Sequence, residues 1–194
     1  MRFLRIGDLN MIFNKFDSVT GIDKGWSGDK KYCAVKDGTK YLLRISPQKK
    51  YGNRKKIHKI MKKLAEKDIS MCRSLKIGLC REGTYVIQSW VNGVDAEEHI
   101  HDYSKKQQYA FGFQAGKILQ EIHIIPAPKN QIEWEIRFNM KMNRKIKMYS
   151  ECPIKFDGAE YIIDYLNANR ALLKNRPQCF QHGDYHIGNM MIDK

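Results

Sequence analysis

The chain has 194 residues, 42% of them hydrophobic and 11% aromatic, enough to build one domain or two small lobes and to exclude global disorder. A formal net charge of +14 favours an anionic partner: nucleotide phosphate, nucleic acid or an acidic membrane surface. No window approaches the ~20 apolar residues of a membrane span, the charged start MRFLRIGDLNMIF does not read as a signal peptide, and the five scattered cysteines form no CxxC pair, so a reduced, cytoplasmic protein is expected.

In chain order, GWSGDKK (25–31) reads as a glycine turn leading into a first strand, KYCAV. An Asp-Gly turn in KDGT joins it to a second strand, KYLLRIS, and both strands are rich in β-branched and aromatic residues. Residues 54–66 place Ile57, Ile60, Met61 and Leu64 at i, i+3, i+4 and i+7, one apolar stripe on a strongly basic helix. EGTYVIQSW (82–90) is a further strand, ended by VNG at 91–93.

Beyond Gly93 the pattern turns helical. Residues 104–123 repeat the stripe through Ala115, Ile118, Leu119 and Ile122, and Gly112 and Gly116 offer a close approach for another helix. Pro126 and Pro128 stop that helix. A basic stretch, 129–150, reads as helix, and 159–174 puts Ile162, Tyr165, Leu166 and Leu173 on one side. A sheet-rich half and a helical half, joined near residues 89–93, predict two lobes.

The chain closes on CFQHGDYHIGNMMIDK. Asp184 and Asn189 lie five residues apart with Gly188 beside the second, a spacing for a loop and not for a helix face. A carboxylate orients or accepts a proton from an attacking hydroxyl, and an Asn oxygen is a hard ligand suited to Mg²⁺. Those are two parts of a phosphoryl-transfer site, where catalysis is mostly positioning and charge neutralisation. MMI reads as a short buried strand that holds the loop down. A zinc site is not expected from His182 and His186, nor from His99 and His101, because no third ligand stands at suitable spacing.

HGDYHIGN followed by an apolar strand resembles the catalytic loop of the aminoglycoside phosphotransferase family, whose fold is that of the protein kinases and which is related to choline kinase. The resemblance runs through the chain in order: glycine turn and hairpin, basic helix, VIQSWVNG as interlobe hinge, the helix ending ILQEIH, then the loop. It implies an α+β, two-lobed protein-kinase-like fold, with residues 1–91 as the nucleotide-binding lobe and 92–194 as an incomplete helical lobe. It implies ATP and Mg²⁺ as cofactors and a small-molecule hydroxyl as phosphoryl acceptor. Asp184 would be the catalytic base and Asn189 a Mg²⁺ ligand. His182 would brace the loop, and His186 would stand where protein kinases carry a phosphate-facing Lys. Gly25, Ser27 and Gly28 would lie near the phosphates, and Gln88, Ser89, Trp90 and Val91 would offer backbone groups to adenine.

Three departures from the family pattern stand out. Its phosphate-binding Lys falls on Arg44, whose fork geometry differs from that of Lys. The helix Glu that pairs with that Lys falls on Ile57, and the helix's only acid, Glu66, is at its end. The second Mg²⁺ ligand, an Asp on the strand after NMMID, has no counterpart, since Asp193 reads as the start of a turn. Together these open an alternative: a catalytically impaired nucleotide-binding fragment or pseudo-kinase, with these 194 residues expected to be a piece of a longer protein. Nucleic acid is not the expected partner, for the strands carry no aromatic stacking pattern. The acceptor stays open. Six basic residues between 129 and 147 (Lys129, Arg137, Lys141, Arg144, Lys145, Lys147) face only Glu133 and Glu135, which disfavours a polycationic acceptor.

Overall fold

The computed structural model describes residues 11–25, 28–67 and 69–193. Two compact units divide the chain: one runs to Ile118 and resumes at Asp184, the other is Leu119–Gly183.

The first unit is built on a five-stranded antiparallel sheet of β1 (Ser18–Ile22), β2 (Lys30–Lys36), β3 (Thr39–Ser46), β4 (Ser74–Cys80) and β5 (Gly83–Ser89), in the order β1-β2-β3-β5-β4. The expected hairpin is β2–β3. Asp37 (φ 49°) and Gly38 (φ 72°) both take the left-handed backbone that a tight two-residue turn requires. Asp17 braces that turn by accepting the Asp37 N–H at 2.7 Å.

Strand alternation sorts β3 into two faces. Leu43 and Ile45 are buried with Ile12, Ala34, Cys80 and Tyr85 in the core cluster. Leu42 and Arg44 take the other face, where α1 (Tyr51–Ala65) carries the stripe ending in buried Leu64. Gln88, the register partner of Leu42, donates to Met61 Sδ of α1 at 3.6 Å.

β1 and β4 were not among the expected strands. β4 contains Gly78, directly opposite Tyr85, and a Cβ there would run into the Tyr85 ring. The glycine that weakens the strand signal is what lets the aromatic ring lie across the sheet.

β6 (Gly93–Asp95), α2 (Ala96–His99) and the first part of α3 (Lys105–His123) follow. A Cβ on Gly112 or Gly116 would meet nothing within 4 Å, so neither glycine serves as a helix contact among the described residues. In the second unit, α4 (Trp134–Glu151) and α5 (Ala159–Ala168) are tied by Arg170, which donates to Asn139 at 2.6 Å and to Asn143 and Asn167 at 2.8 Å. α5 is shorter than expected, since Leu173 falls in a 3₁₀ turn, Arg170–Leu173. Its apolar face is exposed at Ile162, Tyr165 and Leu166. No helix among the described residues is long and apolar enough to cross a membrane, and all five cysteines are free.

Candidate active site

The closing loop belongs to the first unit from Asp184 onward. It ends in β7 (Met191–Asp193), which pairs antiparallel with β6 through Gly93↔Asp193, Val94↔Ile192 and Asp95↔Met191. The expected hold-down strand exists, with one correction. Only Ile192 of it is buried, because the residues alternate. Asp193 is the last rung of the ladder, opposite Gly93. The strand stops before VNG, at Ser89, and Gly93 opens the next one: a Cβ on Gly93 would collide with the Ile192 carbonyl, so the close pairing needs glycine.

Within the loop, the Asn189 amide Nδ2 donates to the Asp184 carbonyl at 2.9 Å and to its carboxylate Oδ2 at 3.0 Å. Two acceptors fix which end of the amide faces them, so Asn189 Oδ1 is turned away and available to a cation. His186 Nε2 lies 3.5 Å from Asp184 Oδ1 and 3.1 Å from Asn189 Nδ2. His186 Nδ1 accepts the Gly188 N–H at 3.2 Å and caps the short turn Ile187–Asn189. The three expected loop residues therefore form one cluster, and the Asp184 side chain stays open to solvent at 76% exposure. Tyr185 points the other way, its hydroxyl donating to the Ala115 carbonyl of α3 at 2.7 Å. No group of three or more His, Cys, Asp or Glu that could hold a metal occurs among the described residues. The hard oxygen of Asn189 suits a Mg²⁺ whose remaining ligands are phosphate and water. His182 falls in the second unit, exposed.

The glycine turn provides the second part. Gly25 (φ 92°) and Gly28 (φ 64°) both adopt left-handed backbone, while Ser27 lies outside the described residues. A hollow of about 450 Å³ borders the hinge at Ser89 and Trp90, and another of about 420 Å³ is walled by Gly21, Lys24, Gly25, Asp29, Lys31 and Tyr32. Lys31 donates to the Lys24 carbonyl at 2.7 Å beneath the turn. Burial, and then the charge of Arg44, pull its ammonium below the ordinary lysine range. Lys24 also pairs with Asp95 and with Glu98 at 3.1 Å, tying the turn to β6 and α2.

Arg44 is not alone on its face. It donates to Asp29 Oδ2 at 3.1 Å, Arg54 of α1 binds the same oxygen, and Lys50 reaches Oδ1 at 3.2 Å. Burial pushes the Asp29 carboxyl up, but the bonds from Arg54 and Lys50 and the charge of Arg44 outweigh it and hold it below the ordinary carboxylate range. Sequence reading missed Asp29, Lys31 and Arg54. The one available signal was that Asp29 is the sole acid between Lys24 and Lys36.

At the hinge, Gln88 and Ser89 are committed to the sheet. The Gln88 side chain points inward, donating to Met61 and to Cys72 Sγ at 3.4 Å, and the Ser89 N–H donates to the Arg73 carbonyl at 2.9 Å. Trp90 and Val91 lie beyond the strand, where the ladder has stopped, although the Val91 carbonyl accepts the Gly93 N–H at 3.1 Å.

A five-stranded antiparallel sheet with a helix on one face, a hinge and a loop presenting Asp and Asn define an α+β fold of the protein-kinase-like class. The chain matches the phosphotransferase enzyme family over residues 18–194 and belongs to it. Among solved structures it is similar to a protein of Ralstonia eutropha assigned to the aminoglycoside phosphotransferases (16% identity, TM-score 0.66, covering 91% of this chain and 54% of that one). It is also similar to APH(2")-IIa in its ternary complex with streptomycin and ATP (14%, TM-score 0.62, 92% and 62%). A third is APH(3'')-Id of Streptomyces rimosus with ADP and streptomycin (16%, TM-score 0.56, 88% and 67%). At these identities the likeness is one of fold, and the chain spans 54% and 62% of the first two. A search of curated protein sequences finds no match.

Proposed function

We propose that the chain is the nucleotide-binding and catalytic-loop part of an ATP-dependent O-phosphotransferase that acts on a small-molecule hydroxyl. The observation that carries this is the Asp184–His186–Asn189 cluster, held on a loop by β6–β7 pairing, in a member of a phosphotransferase family. Asp184 orients the acceptor hydroxyl and receives its proton, and its solvent exposure leaves room for that hydroxyl. Asn189 Oδ1 would hold Mg²⁺, which when bound would neutralise phosphate charge. Arg44 and Lys31 supply positive charge to the phosphates, Gly25 and Gly28 lie near them, and Trp90 and Val91 face adenine. His186 acts on Asp184 through Nε2, since its Nδ1 accepts the Gly188 N–H. The lobe division belongs to the same proposal, with the nucleotide lobe ending near Val91. Structural neighbours crystallised with ATP or ADP support a nucleotide ligand.

The test is transfer of labelled γ-phosphate to a panel of hydroxyl metabolites and aminoglycosides. Asp184→Ala should cut transfer by roughly 10²–10⁴-fold, the range for a positioned general base, while ATP affinity stays within about twofold. Wild-type transfer by that variant would contradict the assignment. A second reading, an impaired nucleotide binder, draws on Ile57 in place of a helix acid and on Arg44 being engaged by Asp29. Nucleotide binding without transfer to any acceptor would favour it.

A further inference from the structure

The basic helix has no acid where the phosphate-site cation needs a partner, yet that cation is not left unpaired. Asp29, one residue past the glycine turn, has a side chain with 0% exposure and receives Arg44 from β3, Lys50 from the turn before α1, and Arg54 from α1 itself. The polarity of the strand-to-helix link is thus reversed. The helix brings the cation and the glycine turn brings the acid. Resting on the nucleotide reading above, we propose that Asp29 is a positioning residue of the phosphate site: its carboxylate aims Arg44 and locks the glycine turn and β3 onto α1.

The chemistry is consistent in three ways. Three positive charges against one negative leave an excess of two, so the cluster still attracts polyphosphate. Lys31 stands opposite Arg44 in the β2–β3 register and adds to that excess. A guanidinium has five N–H donors, and the bond to Asp29 fixes the plane of the fork without exhausting it. A buried carboxylate shared among three cations is also hard to move, because each cation would have to find water or another acid.

The proposal makes a prediction opposite in sign to that of simple charge. Removing a carboxylate beside a phosphate site should tighten ATP binding if only net charge matters. If Asp29 positions Arg44, removal should weaken it. Calorimetry on the 194-residue chain would compare ATP with adenosine, in Mg²⁺, for wild type, Asp29→Asn, Arg44→Ala and the double variant. The expected result is about a tenfold loss of ATP affinity in Asp29→Asn, the size of one charge-assisted hydrogen bond. Adenosine affinity should be unchanged, and Asp29→Asn should add no loss once Arg44 is alanine. Unchanged or tightened ATP binding in Asp29→Asn, or equal losses for ATP and adenosine, would overturn it. If Asp29→Asn does not unfold cooperatively, Asp29→Glu replaces it. That variant keeps the charge but shifts the carboxylate by one methylene, so a loss confined to ATP supports positioning and no loss opposes it. Failure of the wild-type chain to bind ATP would defeat the nucleotide reading and the proposal with it, an outcome distinct from a variant that binds normally.

Discussion

Asp184 is exposed, but its orientation is set: Asn189 donates to both its carbonyl and its carboxylate, and His186 stands on the other carboxylate oxygen. This lets one side chain be accessible to an acceptor and still hold a single geometry. Asp29 is the opposite case, enclosed and acceptor to three cations. Its carboxyl is held below the ordinary value of about 3.9. A lowered folded-state value means its stabilisation is present above the unfolded value and is lost as pH falls through the folded one. Thermal unfolding followed from pH 7 to 3 should therefore show wild type falling steeply below about pH 4, with Asp29→Asn flatter there. At pH 7 that variant should be less stable by about 1.5–3 kcal/mol, the range for hydrogen bonds to charged groups. Parallel pH profiles would contradict this. The loop chemistry was legible because Asp184, His186 and Asn189 are sequence neighbours. Asp29 was not, because its partners lie 15, 21 and 25 residues away and only the fold gathers them.

At the scale of elements, the β2–β3 hairpin and α1 were readable because their patterns are local: a two-residue Asp-Gly turn and a 3.6-residue stripe. β4 was hidden by Gly78 and β6 by its length of three residues, since both depend on partners distant in the chain, Tyr85 across the sheet and Ile192 after the loop. β3 carries both halves of the account, Leu43 and Ile45 into the core and Arg44 toward α1. Leu43→Ala should destabilise the first unit by about 2–5 kcal/mol, the range for emptying a fully buried leucine site. Urea unfolding measures this, and a loss below about 1 kcal/mol would mean that β3 does not anchor the core. Since Arg44 shares the strand, the same variant should weaken ATP binding only under conditions that populate the unfolded state.

For the molecule as a whole, the first unit gathers the cation cluster on Asp29, residues 88–91 and the closing loop from Asp184 onward into one compact body. The second unit's helices leave much apolar surface in solvent, Met140 at 64% and Tyr161 at 74%. A helical stripe tells which face is apolar and not what covers it, so the pattern over 159–174 could not foretell that exposure. The net charge of +14 was likewise legible as attraction to an anion, but not that Lys24 and Lys31 line one hollow with Asp29, on which Arg44 and Arg54 converge. The most direct measurement is thermal unfolding of the 194-residue chain with and without ATP, each with and without Mg²⁺. A magnesium-dependent rise of a few degrees is the predicted result, because a ligand specific to the folded state raises its melting temperature. A transition that neither ATP nor ATP with Mg²⁺ moves would contradict nucleotide binding by the first unit.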